Sequence, residues 1–196
     1  FLDDDDEGDD DVGHDSSSSS SWWQAVGLND DFLFATYAAG GSFAPHTDGV
    51  TRKDLNTRSF YSVIIYLNDC GGGGETRFYE DDAALKSPVL VDDRWTATDG
   101  TSLLGDVQPR AGRLLIFDQT LVHEGRPPHV GSHKHIIRSD LLFRRDPPVF
   151  DSPQDRLAFL AYEDACHKAG DGHHDDARRL FQRCRTLSPD LAAPSS

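Results

Sequence analysis

The sequence predicts a mainly β protein, an antiparallel sandwich or jelly roll followed by a C-terminal α-helical hairpin. Three observations predict it. Segments rich in β-branched and aromatic residues recur through the middle of the chain, separated by clusters of glycine, proline and aspartate. The gaps between them hold no helical crossover, so the strands are expected to pair antiparallel. After RRDPP (144–148) the pattern turns helical, with apolar residues recurring on one face.

The elements follow in order. Residues 1–21, FLDDDDEGDDDVGHDSSSSSS, are acidic and then serine-only. Like charges repel and serine buries nothing, so this segment is expected to be a solvated tail. An acidic tail of this kind could also meet a basic partner. The strand candidates are FLFATY (32–37), SFYSVIIYLN (59–68), ETRFY (75–79), GRLLIFDQ (112–119) and KHIIRSDLLFRR (134–145). GGGG (71–74) breaks any element and marks a turn. Residues 81–106 show little periodicity and are expected to form a long connecting loop. A first helix is expected from SPQDRLAFLAYEDACHKAG, with Ser152 as N-cap, Pro153 in the first turn and Gly170 as the stop. A second covers about Asp175–Leu187, with Ala177, Leu180, Phe181, Cys184 and Leu187 on one face. Its spacing resembles the second helix of a tetratricopeptide repeat, although one repeat does not make a solenoid. The resulting division is a tail at 1–21, a β domain at 22–150 and a TPR-like hairpin at 151–196.

Composition excludes some functions. The 196 residues carry a formal charge of −15, much of it in the tail. Nucleic-acid binding needs phosphate neutralisation, so it is not expected. No apolar run is long enough to span a membrane. Cys70, Cys166 and Cys184 have neither a disulfide framework nor zinc spacing, which favours a reducing, intracellular compartment. The chain begins at Phe1 and contains no methionine, so the natural N-terminus is expected to lie upstream and the compartment stays open.

A histidine two residues before an aspartate occurs at His46/Asp48, His173/Asp175 and His174/Asp176. With this much aspartate, about one such pair is expected by chance, so context must choose. The last two pairs lie at the turn before the second helix, where acids favour the helix dipole. The first follows a strand and a glycine turn. On an extended backbone, residues i and i+2 point the same way and can reach one ion. The third ligand candidate is His123, at the end of the apolar strand 113–118. Two histidines and one carboxylate form a facial triad suited to non-haem Fe(II).

The sequence resembles the Fe(II)/2-oxoglutarate dioxygenases, in particular the prolyl 4-hydroxylase-like group. The matching stretches are YAAGGSFAPHTDG, RSFYSVIIYLND, GGGGETRFY, VQPRAGRLLIFDQTLVHEG and KHIIRSDLLFRR, in the family's order across about residues 28–146. The resemblance implies a double-stranded β-helix, or jelly roll, with the metal at its mouth. It implies that His46, Asp48 and His123 bind Fe(II), with 2-oxoglutarate and O2 as co-substrates and ascorbate as a reductant. The co-substrate's far carboxylate should meet a buried cation on the strand after His123. Lys134 is favoured, and Arg138, four residues on, stays open as rival or second anion contact. Tyr37 and Tyr66 match positions lining the co-substrate pocket; plain core packing is the other reading for both.

The implied reaction hydroxylates a substrate C–H bond and releases succinate and CO2. Peptidyl proline is the family's default substrate; another protein side chain or a small molecule is the alternative. Arg52, Lys53 and Arg58 in TRKDLNTR (51–58) are expected to form a basic loop over the site, a possible substrate lid. A catalytically silent jelly-roll/TPR-like interaction module is the competing function class.

Overall fold

The computed structural model describes residues 22–80, 82–86, 88–91, 93–98 and 100–189. The acidic tail, 1–21, lies outside the described residues, as do 190–196. In chain order the strands begin with β1 (Trp22–Leu28), β2 (Leu33–Tyr37), β3 (Phe43–His46), β4 (Arg52–Asp54), β5 (Thr57–Tyr66) and β6 (Thr76–Tyr79). A short helix, α1 (Ala83–Lys86), precedes β7 (Val89–Val91), β8 (Arg94–Thr96), β9 (Leu103–Val107), β10 (Leu114–Asp118), β11 (His123–Gly125) and β12 (Lys134–Asp146). Two helices, α2 (Pro153–Gly170) and α3 (His174–Leu187), close the chain.

The strands form two antiparallel sheets and a separate hairpin. The larger sheet runs β1-β12-β5-β10, with β2 also pairing β12 and β4 pairing β5; the smaller runs β3-β11-β6-β9. Neighbours in the sheets are mostly distant in sequence, as in a jelly roll. Period-two alternation sends Ile64 and Tyr66 of β5, Phe117 of β10 and Ile136 of β12 inward against Phe78 of β6. Each such side chain contributes on the order of 1.5–3 kcal/mol by burial, so this cluster is what fixes the two sheets face to face.

All five strand candidates are strands here. The GGGG turn is required by close approach: at Gly73, with φ +70, an added Cβ would lie 2.4 Å from the Pro127 carbonyl oxygen. The expectation for 81–106 needs correction. Instead of one loop it holds α1, the β7–β8 hairpin and the edge strand β9. Strands of three residues are too short to show an alternation, and β9 is interrupted by Gly105.

The helical hairpin follows its sequence signals. Ser152 and Asp155 form a reciprocal capping box, and Pro153 opens α2. Ala158, Ala161 and Cys184 are buried between the helices, with Leu187 packed against them. The start of α2 lies beside the sheet, where Arg156, Phe159 and Leu160 line a groove with Asn56, Thr57 and Arg144. No described helix is long and apolar enough to cross a membrane.

Candidate active site

The register of the smaller sheet sets His46 directly opposite His123 on neighbouring strands. Their rings lie 4.3 Å apart between centroids. Asp48 follows two residues after His46, and its carboxylate completes a group whose ligand atoms all lie within 4.8 Å of one another. His46 Nε2 is 3.6 Å from Asp48 Oδ1, and His123 Nε2 is 3.7 Å from Asp48 Oδ2.

The histidine tautomers follow from their partners. His46 Nδ1 lies 2.8 Å from the Ala44 carbonyl oxygen, and His123 Nδ1 lies 2.9 Å from that of Leu121. A carbonyl can only accept, so each Nδ1 carries a proton, and in the neutral form Nε2 presents a lone pair to the cluster. Burial pushes the His123 imidazole below its usual pKa, which favours that neutral form. Burial alone would raise the Asp48 carboxyl. Its contacts with His46, Ser62 and Arg138 outweigh that and hold it down at about 2. Two imidazoles and one ionised carboxylate on one side of a small space are a donor set that fits a divalent iron.

Asp48 is itself held from below. Its backbone N–H donates to the Gln119 carbonyl at 2.9 Å, and Ser62 Oγ donates to its Oδ2. Gln119 accepts from Ser59 Oγ at 2.9 Å and donates to Asp140 Oδ1 at 3.1 Å; Thr51 Oγ1 donates to Asp140 Oδ2 at 2.6 Å. This buried network clamps the turn after β3 to β5, β10 and β12. The sequence reading missed it. The available signal was a polar residue breaking each apolar strand: Ser62 in β5, Gln119 after β10 and Asp140 in β12.

The inner face of β12 supplies both predicted cations. Lys134 is buried, and its Nζ sits 4.2 Å over the Tyr37 ring. It makes no ion pair or hydrogen bond among the described residues, and burial pushes the amine down to about 8. Arg138 reaches further toward the cluster, with Nη2 2.6 Å from Asp48 Oδ1. Tyr66 is fully buried and its hydroxyl lies 2.6 Å from Thr76 Oγ1, tying the two sheets together. Burial raises the pKa of both Tyr37 and Tyr66, so both phenols stay protonated.

The basic segment is placed differently from expectation. Arg52, Lys53 and Asp54 form β4, paired with β5, in place of a free loop. Lys53 is bound to Asp30 at 2.8 Å and Asp31 at 3.4 Å, while Arg58 lies 4.7 Å over the Phe60 ring. Alternation in three residues was again too brief to read. His173 is the N-cap position of α3 and His174, Asp175 and Asp176 its first turn. Among the described residues, His46, Asp48 and His123 are the sole group of three or more such side chains placed to share an ion.

A jelly roll with two histidines and an aspartate converging between its sheets defines a facial-triad metal protein. The sequence profile of the 2OG-Fe(II) oxygenase superfamily matches residues 32–139, and the chain belongs to that family. Among solved structures it is similar to a Pseudomonas putida prolyl-4-hydroxylase, at 26% identity over 59% of this chain and 54% of that one, with a TM-score of 0.37. A Trichoplax adhaerens prolyl hydroxylase, solved with a hypoxia-inducible-factor peptide fragment, matches at 19% identity over 61% of this chain and 46% of that one, with a TM-score of 0.39. A Phytophthora capsici prolyl 4-hydroxylase matches at 16% identity over 83% and 64%, with a TM-score of 0.36. The chain thus spans about half the length of the first two. No curated protein sequence gives a significant match.

Proposed function

We propose that the chain is an Fe(II)- and 2-oxoglutarate-dependent dioxygenase that hydroxylates a C–H bond of its substrate and releases succinate and CO2. The observation that carries this reading is the convergence of His46 Nε2, His123 Nε2 and the Asp48 carboxylate, all within 4.8 Å, inside a family that uses such sites. When bound, the iron supplies O2 activation, driven by oxidation of 2-oxoglutarate. His46, Asp48 and His123 would hold the iron, leaving room beside it for co-substrate and O2.

Lys134 receives the far carboxylate of 2-oxoglutarate in this scheme. A buried amine with no carboxylate partner is costly as it stands, and a bound dianion relieves that cost. The Tyr37 ring beneath the amine steadies it as a cation. Tyr66 keeps the sheets in register behind the pocket. The network through Gln119 and Asp140 fixes the turn that carries Asp48. The substrate of this proposal is a peptide or small molecule, with peptidyl proline as the first to try. Ascorbate, as the reductant that keeps iron ferrous, belongs to the same proposal.

Succinate release from 2-oxoglutarate tests it. Release that requires Fe(II), rises with ascorbate and disappears in His123→Ala is expected. Iron-independent release, or full release from His123→Ala, contradicts it.

A further inference from the structure

Arg138 is the charged group that the proposed chemistry leaves over. Three features set it apart. It lies on the inner face of β12, four residues beyond Lys134, opposite Leu33 and Ile64. Its side chain is 32% exposed, whereas Lys134 is buried, so Arg138 is the inner-face cation that solvent reaches. Its one ion-pair partner among the described residues is Asp48, a metal ligand, at 2.6 Å. The other carboxylate on this face, Asp140, is already taken by Thr51 and Gln119.

The pair is balanced only while Asp48 has no other cation to serve. A divalent ion held by the two histidines and this carboxylate draws on the same negative charge. A guanidinium cannot answer by losing its proton, as a lysine could. Like charges a few ångströms apart repel, so a second anion beside Arg138 would then be favoured. The far carboxylate of 2-oxoglutarate goes to buried Lys134. Its other carboxylate would go to the metal, so a further anion for Arg138 would come from the side open to solvent.

We propose that the substrate presents a carboxylate close to the bond that reacts, and that Arg138 holds it. This rests on the iron and 2-oxoglutarate reading above and narrows its substrate class. A planar carboxylate matches the two-pronged guanidinium, which lysine would meet only as a point charge. Such a group can belong to a free acid, such as an amino acid, or to an acidic side chain within a peptide.

Calorimetry on the Zn(II)-loaded protein saturated with 2-oxoglutarate tests the proposal without turnover. The probes are acetate against acetamide, L-proline against L-prolinamide, and an end-blocked glutamyl-prolyl peptide against its glutaminyl analogue. Zinc content is measured for every variant. Each acid is expected to bind at least about tenfold tighter than its amide, the order of one charge-assisted contact. Arg138→Gln should lose that preference, and Arg138→Lys should keep part of it. The tighter of the two arms, free acid or peptide, names the source of the carboxylate. Acids binding no better than amides, no binding by any acid, or an undiminished preference in Arg138→Gln overturns the proposal. If 2-oxoglutarate itself fails to bind the zinc-loaded protein, the failure lies with the co-substrate reading instead.

Discussion

The chain writes histidine–any residue–aspartate in two unlike places, the end of β3 and the start of α3. At His46/Asp48 the backbone is extended, a second strand delivers His123 opposite His46, and the Asp48 side chain is 2% exposed. At His173–Asp176 the backbone enters a helix, and the Asp175 side chain is 84% exposed. Asp175 and Asp176 there face Arg178 at 3.7 Å and Arg179 at 3.6 Å, one helical turn on. Such exposed pairs contribute little, about 0.2–0.5 kcal/mol each. The motif is the same; the difference is that only one copy has a sheet to bring a third ligand and a buried network to hold its carboxylate. Chemistry here belongs to the neighbours of the motif more than to the motif.

The largest test of that contrast is to remove ligands on one side. His46→Ala, Asp48→Ala and His123→Ala are each expected to abolish 2-oxoglutarate turnover, measured as succinate. Asp48→Ala should also strand Arg138, because a buried charge that loses its partner is destabilising by about 3–5 kcal/mol; partial exposure of Arg138 reduces this. Thermal unfolding of the variant reads that effect.

Next in size is the co-substrate anchor. Lys134→Ala should raise the 2-oxoglutarate requirement roughly 10- to 150-fold, for the loss of a charge-assisted contact of about 1.5–3 kcal/mol. Metal binding should persist, measured as zinc or iron content. A larger effect from Arg138→Ala with none from Lys134→Ala would reverse the roles assigned to the two cations. The same lysine gives a pH dependence. Its folded-state pKa is depressed, to about 8 from an ordinary 10.5, so between those values the unfolded chain holds more protons than the folded one. Stability of the ligand-free protein should therefore rise as pH climbs through that window. Affinity for 2-oxoglutarate should move the other way, falling by up to about tenfold per pH unit above 8 as the amine becomes neutral. Lys134→Arg should remove this fall.

Smaller still is the support beneath Asp48. Gln119→Ala leaves buried partners on Ser59 and Asp140 unsatisfied and should lower stability by about 1–3 kcal/mol, with a weaker hold on metal. His173→Ala and His174→Ala should change neither turnover nor metal content, and stability by less than about 0.5 kcal/mol. A metal-binding loss in either would erase the contrast between the two regions.

How much of this was legible in the sequence depended on element length and partner distance. β5 and β12 are long and apolar enough to declare themselves, and Ser152, Pro153 and Gly170 mark α2 in the right register. His123 was expected at the end of the strand 113–118; it instead opens β11, in the other sheet from β10, and so lies opposite His46. β4, β7 and β8 have three residues each, too few to carry a period, so they were read as loop. The Ser62, Gln119 and Asp140 network was not legible because its members lie on three different strands, and only their convergence gives each a reason. Arg138 looked like a second choice for the co-substrate; its contact with Asp48 depends on a turn between β3 and β4 whose path no local pattern fixes.

The most direct measurement is an anaerobic titration of the protein with Fe(II) and 2-oxoglutarate, followed in the visible range and repeated on His123→Ala and on the double variant His173→Ala/His174→Ala. The account predicts a weak charge-transfer band that saturates at one iron per chain in the wild type and in the double variant, and no band in His123→Ala. A band that survives in His123→Ala, or one that vanishes in the double variant, would contradict it.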